Sequence, residues 1–204
     1  MIYETQTFIT PIYTCKNEKF LKLDSIFDNY ITFAIRRDSA NFKDKTDFGW
    51  SYHSEQLTDD SDLAEFQSFI EDKCFELLDK QGYNLSKYKL RFDDFWVQQF
   101  SKSGGGHQDT HIHGNSHMCG FYFLRCSEKT SFVKFHDPRP AKMATQLPEK
   151  NEDNVTFASK QIHIKPRPGH FVFFNSYLPH QFTIDDGTDD FRFVHFNVQA
   201  ITDK

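Results

Sequence analysis

Long apolar runs are missing from this 204-residue sequence. None approaches the ~20 residues that a membrane-spanning helix needs, and mean hydropathy is −0.65. The opening MIYETQTFIT has neither the basic start nor the apolar stretch of a secretory leader. Cysteine is sparse: Cys15, Cys74, Cys119 and Cys126 form no C-x-x-C pair. Free thiols in a reducing, cytoplasmic setting are therefore expected, and no zinc knuckle. Positive charge is also short. Lys+Arg 24 against Asp+Glu 29 gives −5, which speaks against a broad grip on nucleic acid.

What the chain does have is phenylalanine. It occurs 24 times, and aromatic residues reach 17%, a composition that favours strands over helices. The one long stretch with helical periodicity is Asp62 to Gln81. Leu63, Phe66, Phe69, Ile70, Leu77 and Leu78 fall near one stripe, Asp60 or Ser61 can cap it, and Gly82 stops it. A weaker helix is expected over Leu21 to Ile35, with an irregular excursion from Arg36 to Asp59.

After Tyr88 the pattern changes to short aromatic and β-branched runs separated by Gly, Pro and Asp. They include KLRFDDFWVQQF, HIH, CGFYFLR, SFVKFHD, GHFVFFNS, HQFTI and DFRFVHFNVQAI. Closely spaced strands of this kind suggest an antiparallel sandwich or barrel. The predicted fold class is α+β, a jelly-roll core with N-terminal supporting helices, in one domain spanning 1–204. Residues 1–85 form the support and 86–204 the core. Pro140 to Asn154 reads as a long surface loop.

Nine of the ten histidines lie between residues 107 and 195, four of them within GGGHQDTHIHGNSH. Residues two apart on a strand point to one side, so His111 and His113 would present two imidazoles together. A third ligand from a distant strand could complete a metal site, and His180 in NSYLPHQF is the best placed. His107 and Asp109 form a competing H-x-D pair, whose carboxylate would partly neutralise Fe²⁺, but they follow three glycines. Arg192, in the last predicted strand, shares a face with Val194 and Phe196. Its burial there would call for an anion, either a dicarboxylic cosubstrate or Asp185 or Asp186.

Taken in order, these motifs resemble the 2-oxoglutarate–Fe(II) oxygenase superfamily, and within it a group common in phage and marine bacterial genomes. The matches are His111-Ile112-His113-Gly114-Asn115-Ser116, Cys119-Gly120-Phe121-Tyr122-Phe123-Leu124 and Asp137-Pro138-Arg139. They continue through Pro168-Gly169, Leu178-Pro179-His180, and Arg192 followed by Phe196-Asn197. Cys119, Phe123 and Val194 depart from the group's usual Ser, Tyr and Ser.

The resemblance implies a double-stranded β-helix, cupin-like core and a dioxygenase, most simply a hydroxylase. Fe(II) would sit on His111, His113 and His180, with 2-oxoglutarate and O₂ as small-molecule cosubstrates. It implies Arg192, Tyr122 and Asn115 as cosubstrate-binding residues and Asn175 as a supporting one, and sets His195 outside the metal site. Asp137 and Arg139 are expected to form an internal ion pair. The primary substrate, protein or small molecule, is open; a membrane partner is not expected, and the net charge counts against nucleic acid. The competing expectation is a non-catalytic, cupin-like metal-binding or structural jelly roll, which Val194 and the missing carboxylate ligand favour.

Overall fold

The structure is a computed structural model that describes residues 2–5, 7–41, 46–144, 147–187 and 189–202. Among these residues, ten strands, β1 (Ile12–Lys16), β2 (Ser51–His53), β3 (Tyr88–Phe100), β4 (Gln108–His111), β5 (Met118–Arg125), β6 (Val133–His136), β7 (Gln161–Ile164), β8 (His170–Asn175), β9 (His180–Phe182) and β10 (Arg192–Thr202), build two antiparallel sheets. One has six strands in the order β1-β8-β5-β10-β3-β2, the other four in the order β4-β9-β6-β7. From β3 to β6 the chain alternates between the sheets, and after β7 it alternates again. That path is a jelly roll.

Two helices cover the outer face of the larger sheet. The second, α2 (Ala64–Lys80), buries Phe66, Ile70, Cys74, Leu77 and Leu78, one side of a 3.6-residue period. Asp60 caps the short 3-10 turn that leads into it, accepting from the Asp62 amide at 2.8 Å. It ends at Gly82, whose φ of 92° a side chain would resist. The first helix, α1 (Asp24–Asn41), buries Phe27, Ile31 and Ala34. It runs past Ile35, and β2 lies within the stretch expected to be irregular. A short helix, α3 (Pro140–Ala144), opens the segment expected to be loop.

Two apolar cores result, one on each side of the larger sheet. Phe27, Ile31, Phe66 and Ile70 of the helices meet Phe95, Tyr122, Phe171, Val194 and Phe196 on its outer face. Between the sheets lie Phe100, Phe121, Phe123, Phe135, Phe174, Phe182, Phe191 and Phe193, with Cys119, Val133, Val172 and Leu178. β10 therefore sends Val194, Phe196 and Val198 toward the helices and Phe193 into the jelly roll, where Phe191, just before the strand, joins it. Both faces of this strand are dry, and the assignment of its side chains to one face or the other decides what can reach the metal site.

Candidate metal centre

Strands β4 and β9 are neighbours at one edge of the smaller sheet, and His111 pairs directly with His180 across them. The chain leaves β4 at His111. Ile112 turns outward, 54% exposed, and the His113 amide donates to the Ser176 carbonyl at 2.9 Å, which returns its side chain inward. The two-residue alternation expected of H-x-H thus holds, although His113 lies just beyond the strand. The ring centroids stand 5.0 Å apart for His111–His113, 4.4 Å for His111–His180 and 5.2 Å for His113–His180. One ligand atom from each can be chosen so that all three lie within 4.8 Å of one another.

Hydrogen bonds on the far edges of the rings set their tautomers. His111 Nδ1 donates to the Asp109 carbonyl at 2.6 Å, and His180 Nδ1 to the Leu178 carbonyl at 3.0 Å. Both leave Nε2 with a lone pair, the form that ligates metal. His113 Nδ1 lies 3.1 Å from the Asn197 amide. The same amide nitrogen donates to Asp94 Oδ2 at 2.8 Å, which fixes its orientation, so here His113 Nδ1 accepts and the ring takes its other tautomer to ligate through Nε2. Burial, the largest cause, pushes His113 down to about 4 and His180 down to about 3, so both rings are neutral near pH 7.

The unpartnered atoms carry the chemical message. Among the described residues, the buried side-chain nitrogens and oxygens without a hydrogen-bond partner are His113 Nε2, His180 Nε2, both ring nitrogens of His195, and Asn197 Oδ1. All belong to this one locus. Leaving a buried polar atom unpaired costs about 1–3 kcal/mol, so a cluster of them marks a place where a ligand completes the bonding. Three converging imidazoles, two of them with unpartnered Nε2 atoms, fit a divalent transition metal.

The competing pair is not brought in. The Asp109 side chain is 97% exposed, and His107 Nε2 faces it at 3.8 Å, outside the three-histidine group. His117 accepts from the Ala200 amide at 3.1 Å, and His136 Nε2 is 2.9 Å from Gln181 Oε1; neither belongs to the cluster.

The residues expected to bind the cosubstrate do not line the space beside the three histidines. Arg192 is buried at 3% exposure, but it faces the helices. Its Nη1 donates to Asp24 Oδ1 at 3.0 Å and Asp28 Oδ1 at 2.7 Å, and its Nε to Gln99 Oε1 at 2.8 Å. The anion that its burial demanded comes from α1, not from Asp185 or Asp186 and not from the space between the sheets. Tyr122 lies on the same outer face and donates to the Asn17 carbonyl at 2.9 Å. Asn115 is exposed in the turn after His113, where its carbonyl accepts from Gln199 Nε2 at 2.8 Å. Asn175 is tied to Gln81 beside α2 by two amide–amide hydrogen bonds, 2.8 and 3.1 Å.

His195 is the opposite case. Its place in the alternation predicts a position outside the site, yet its ring lies 5.0 Å from His113 and 5.4 Å from Phe121, between the sheets. The available signal was Asn197, which shares its face two residues on and touches His113. The expected ion pair of Asp137 and Arg139 is present at 2.7 Å.

A family model described as "Putative 2OG-Fe(II) oxygenase" matches residues 94–197, from the middle of β3 through Asn197 of β10. The three histidines fall inside that span, and the chain belongs to this 2-oxoglutarate–Fe(II) oxygenase family, a family of oxidoreductases that use Fe(II), 2-oxoglutarate and O₂. Similar solved structures agree on the fold. A prolyl-4-hydroxylase of Pseudomonas putida superposes with TM-score 0.53 at 11% identity, covering 92% of each chain. A Trichoplax adhaerens prolyl hydroxylase, in complex with a hypoxia inducible factor peptide fragment, gives 0.53 at 11%, covering 91% of this chain and 82% of that one. AviO1 from Streptomyces viridochromogenes Tue57 gives 0.53 at 12%, with 93% and 90% covered. No curated protein matches the sequence.

The residues between the sheets fit the two halves of the family's chemistry unequally. The three histidines fit the metal. For the far carboxylate of 2-oxoglutarate there is no buried cation between the sheets among the described residues: no lysine is buried, and the one buried arginine, Arg192, is paired on the helix side. No helix among the described residues is long and apolar enough to cross a membrane.

Proposed function

We propose that His111, His113 and His180 are the iron ligands of this oxygenase and that it hydroxylates a protein side chain or small molecule in the cytoplasm. The observation that carries the ligand assignment is the gathering of unpartnered buried atoms, His113 Nε2 and His180 Nε2 among them, where the three rings converge. Fe(II) held there with 2-oxoglutarate and O₂ would supply the oxidising equivalent. The chain's own part is to bind, orient and keep dry. The Asp109 and Leu178 carbonyls hold two of the rings in the ligating tautomer. Phe121 and Phe174, whose rings lie 5.9 and 4.6 Å from His180, exclude water behind the site. The four cysteines are free thiols, in keeping with a reducing compartment.

A second reading, a jelly-roll metal protein without oxygenase turnover, is favoured by one specific observation. The arginine expected to clamp the cosubstrate is engaged by Asp24 and Asp28 on the other side of the sheet. Anaerobic titration of the Fe²⁺-loaded chain with 2-oxoglutarate separates the two. A visible band on adding the acid, and succinate on admitting O₂, are expected of the oxygenase. Metal binding with neither band nor succinate would establish the second reading.

A further inference from the structure

Metal ligation would satisfy His113 Nε2 and His180 Nε2. It leaves both ring nitrogens of His195 and Asn197 Oδ1 still unpartnered. His195 is 2% exposed and is held on one side by Trp96, stacked at 4.4 Å between centroids. On its other sides are His113 at 5.0 Å and Phe121 at 5.4 Å. It stands on β10 of the larger sheet, whereas His111 and His180 come from β4 and β9 of the smaller one. His195 thus approaches the three rings from the opposite wall. It is outside the group whose ligand atoms lie within 4.8 Å of one another, so it is not a fourth ligand in this arrangement.

A neutral imidazole carries one N–H donor and one acceptor. Phe121 offers neither, and the Trp96 indole N–H is directed at Gln98 Oε1, 3.3 Å away. Asp24, Asp28 and Arg192 are on the far face of the strand. The Asn197 side chain approaches the ring, but its Oδ1 and both ring nitrogens stay outside hydrogen-bonding geometry; a polar ligand seated between His195 and the metal would complete the bonding. We propose that His195 is the residue that anchors a metal-bound 2-oxo acid, donating a ring N–H to its metal-proximal carboxylate.

This rests on the three-histidine metal site and extends it to the cosubstrate. It places recognition at the carboxylate that every 2-oxo acid shares. The distal carboxylate, by contrast, meets no buried cation between the sheets. The site therefore discriminates little between 2-oxoglutarate and a 2-oxo acid without a second carboxylate.

The test uses the full chain under anaerobic conditions. Co²⁺ binding is measured by calorimetry, and the visible band of the Fe²⁺ form is titrated with 2-oxoglutarate and with 2-oxobutyrate, for wild type, His195→Phe and His195→Gln. His195→Phe is expected to bind Co²⁺ within about threefold of wild type while its half-saturating 2-oxoglutarate rises about tenfold or more. His195→Gln, which keeps a donor, recovers to within about threefold, and wild type binds the two acids within about tenfold of each other. Unchanged acid binding in His195→Phe, a parallel loss of Co²⁺ affinity, or no recovery in His195→Gln would each overturn the anchoring role while leaving the metal site standing. Wild type that binds no Co²⁺ would overturn the metal site itself, and the anchoring role with it. Wild type that binds Co²⁺ but shows no band with either acid would overturn the cosubstrate reading and the anchoring role together.

Discussion

Arg192 donates from Nη1 to Asp28 Oδ1 across 2.7 Å, on the side of β10 that faces α1. Arg125 joins the same group, reaching Asp24 Oδ2 at 2.6 Å and Asp28 Oδ1 at 2.8 Å. The network fastens the first helix to the sheet. Arg192→Ala removes a buried guanidinium and leaves Gln99 Oε1 and two carboxylates short of a donor. The expected cost is about 2 kcal/mol, moderated because Asp28 is half exposed and Arg125 remains. Thermal unfolding should show the loss, while Co²⁺ affinity stays within about twofold of wild type. A variant of wild-type stability that no longer binds 2-oxoglutarate would return Arg192 to the cosubstrate site.

The ligand assignment predicts a sharp contrast between neighbours in sequence. His111→Ala, His113→Ala and His180→Ala should each weaken Co²⁺ or Fe²⁺ binding by about a hundredfold or more, since each removes one of three ligands. Asp109→Ala should change it by less than about twofold, because that carboxylate is in solvent. Calorimetric titration of the four variants decides the matter. A large loss in Asp109→Ala would mean that the carboxylate swings in as a ligand.

Asp137 gives the fold an acid-sensitive point away from the metal. Hydrogen bonds from Arg139, at 2.9 and 2.7 Å, and from Lys142, at 2.8 Å, hold its carboxyl well below the usual range, with the Arg139 contact the largest cause. A carboxyl whose folded-state value is depressed binds protons more readily in the unfolded chain. Its stabilisation is therefore complete above the unfolded value, about 4, and is lost as pH falls through the lower folded value. Asp137→Asn should be less stable than wild type at pH 6, with the gap narrowing as pH falls from about 4 to 2. Melting curves across that range check it; a gap that widened in acid would contradict the sign.

Gly120 sits where β5 runs beneath Phe196 of β10 and beside Val172 of β8. A Cβ there would collide with the Phe196 ring and the Val172 carbonyl, and the carbonyl cannot move without breaking the sheet. Gly120→Ala is expected to destabilise the protein by about 2–3 kcal/mol through overpacking. Urea unfolding should show a lower midpoint with an unchanged slope.

Much of this molecule follows from the sequence by itself. Local spacing determined the helix over Ala64–Lys80, because its apolar stripe and the stops at Asp60 and Gly82 are short-range signals. The strands after Tyr88 were legible for the same reason, as runs of Phe, Tyr and Val between Gly and Pro, whereas β1 and β2 lie in the part read as helical support. The H-x-H pair and the distant His180 were readable because two-residue alternation and a metal's need for three converging ligands are geometric facts that spacing expresses.

Only the tertiary structure decided which side of β10 faces the metal. Alternation correctly separated Arg192, Val194 and Phe196 from Phe193, His195 and Asn197. It could not say which set points into the jelly roll. On a strand with one wet face the polar residues would have marked the outside, but helices cover the outer face of this sheet, so both sets are aromatic and dry. Arg192 went to the carboxylates of α1, and His195 to the histidines. That choice depends on Asp24 and Asp28, some 165 residues earlier, meeting the guanidinium in space, and no local pattern in the sequence encodes that encounter.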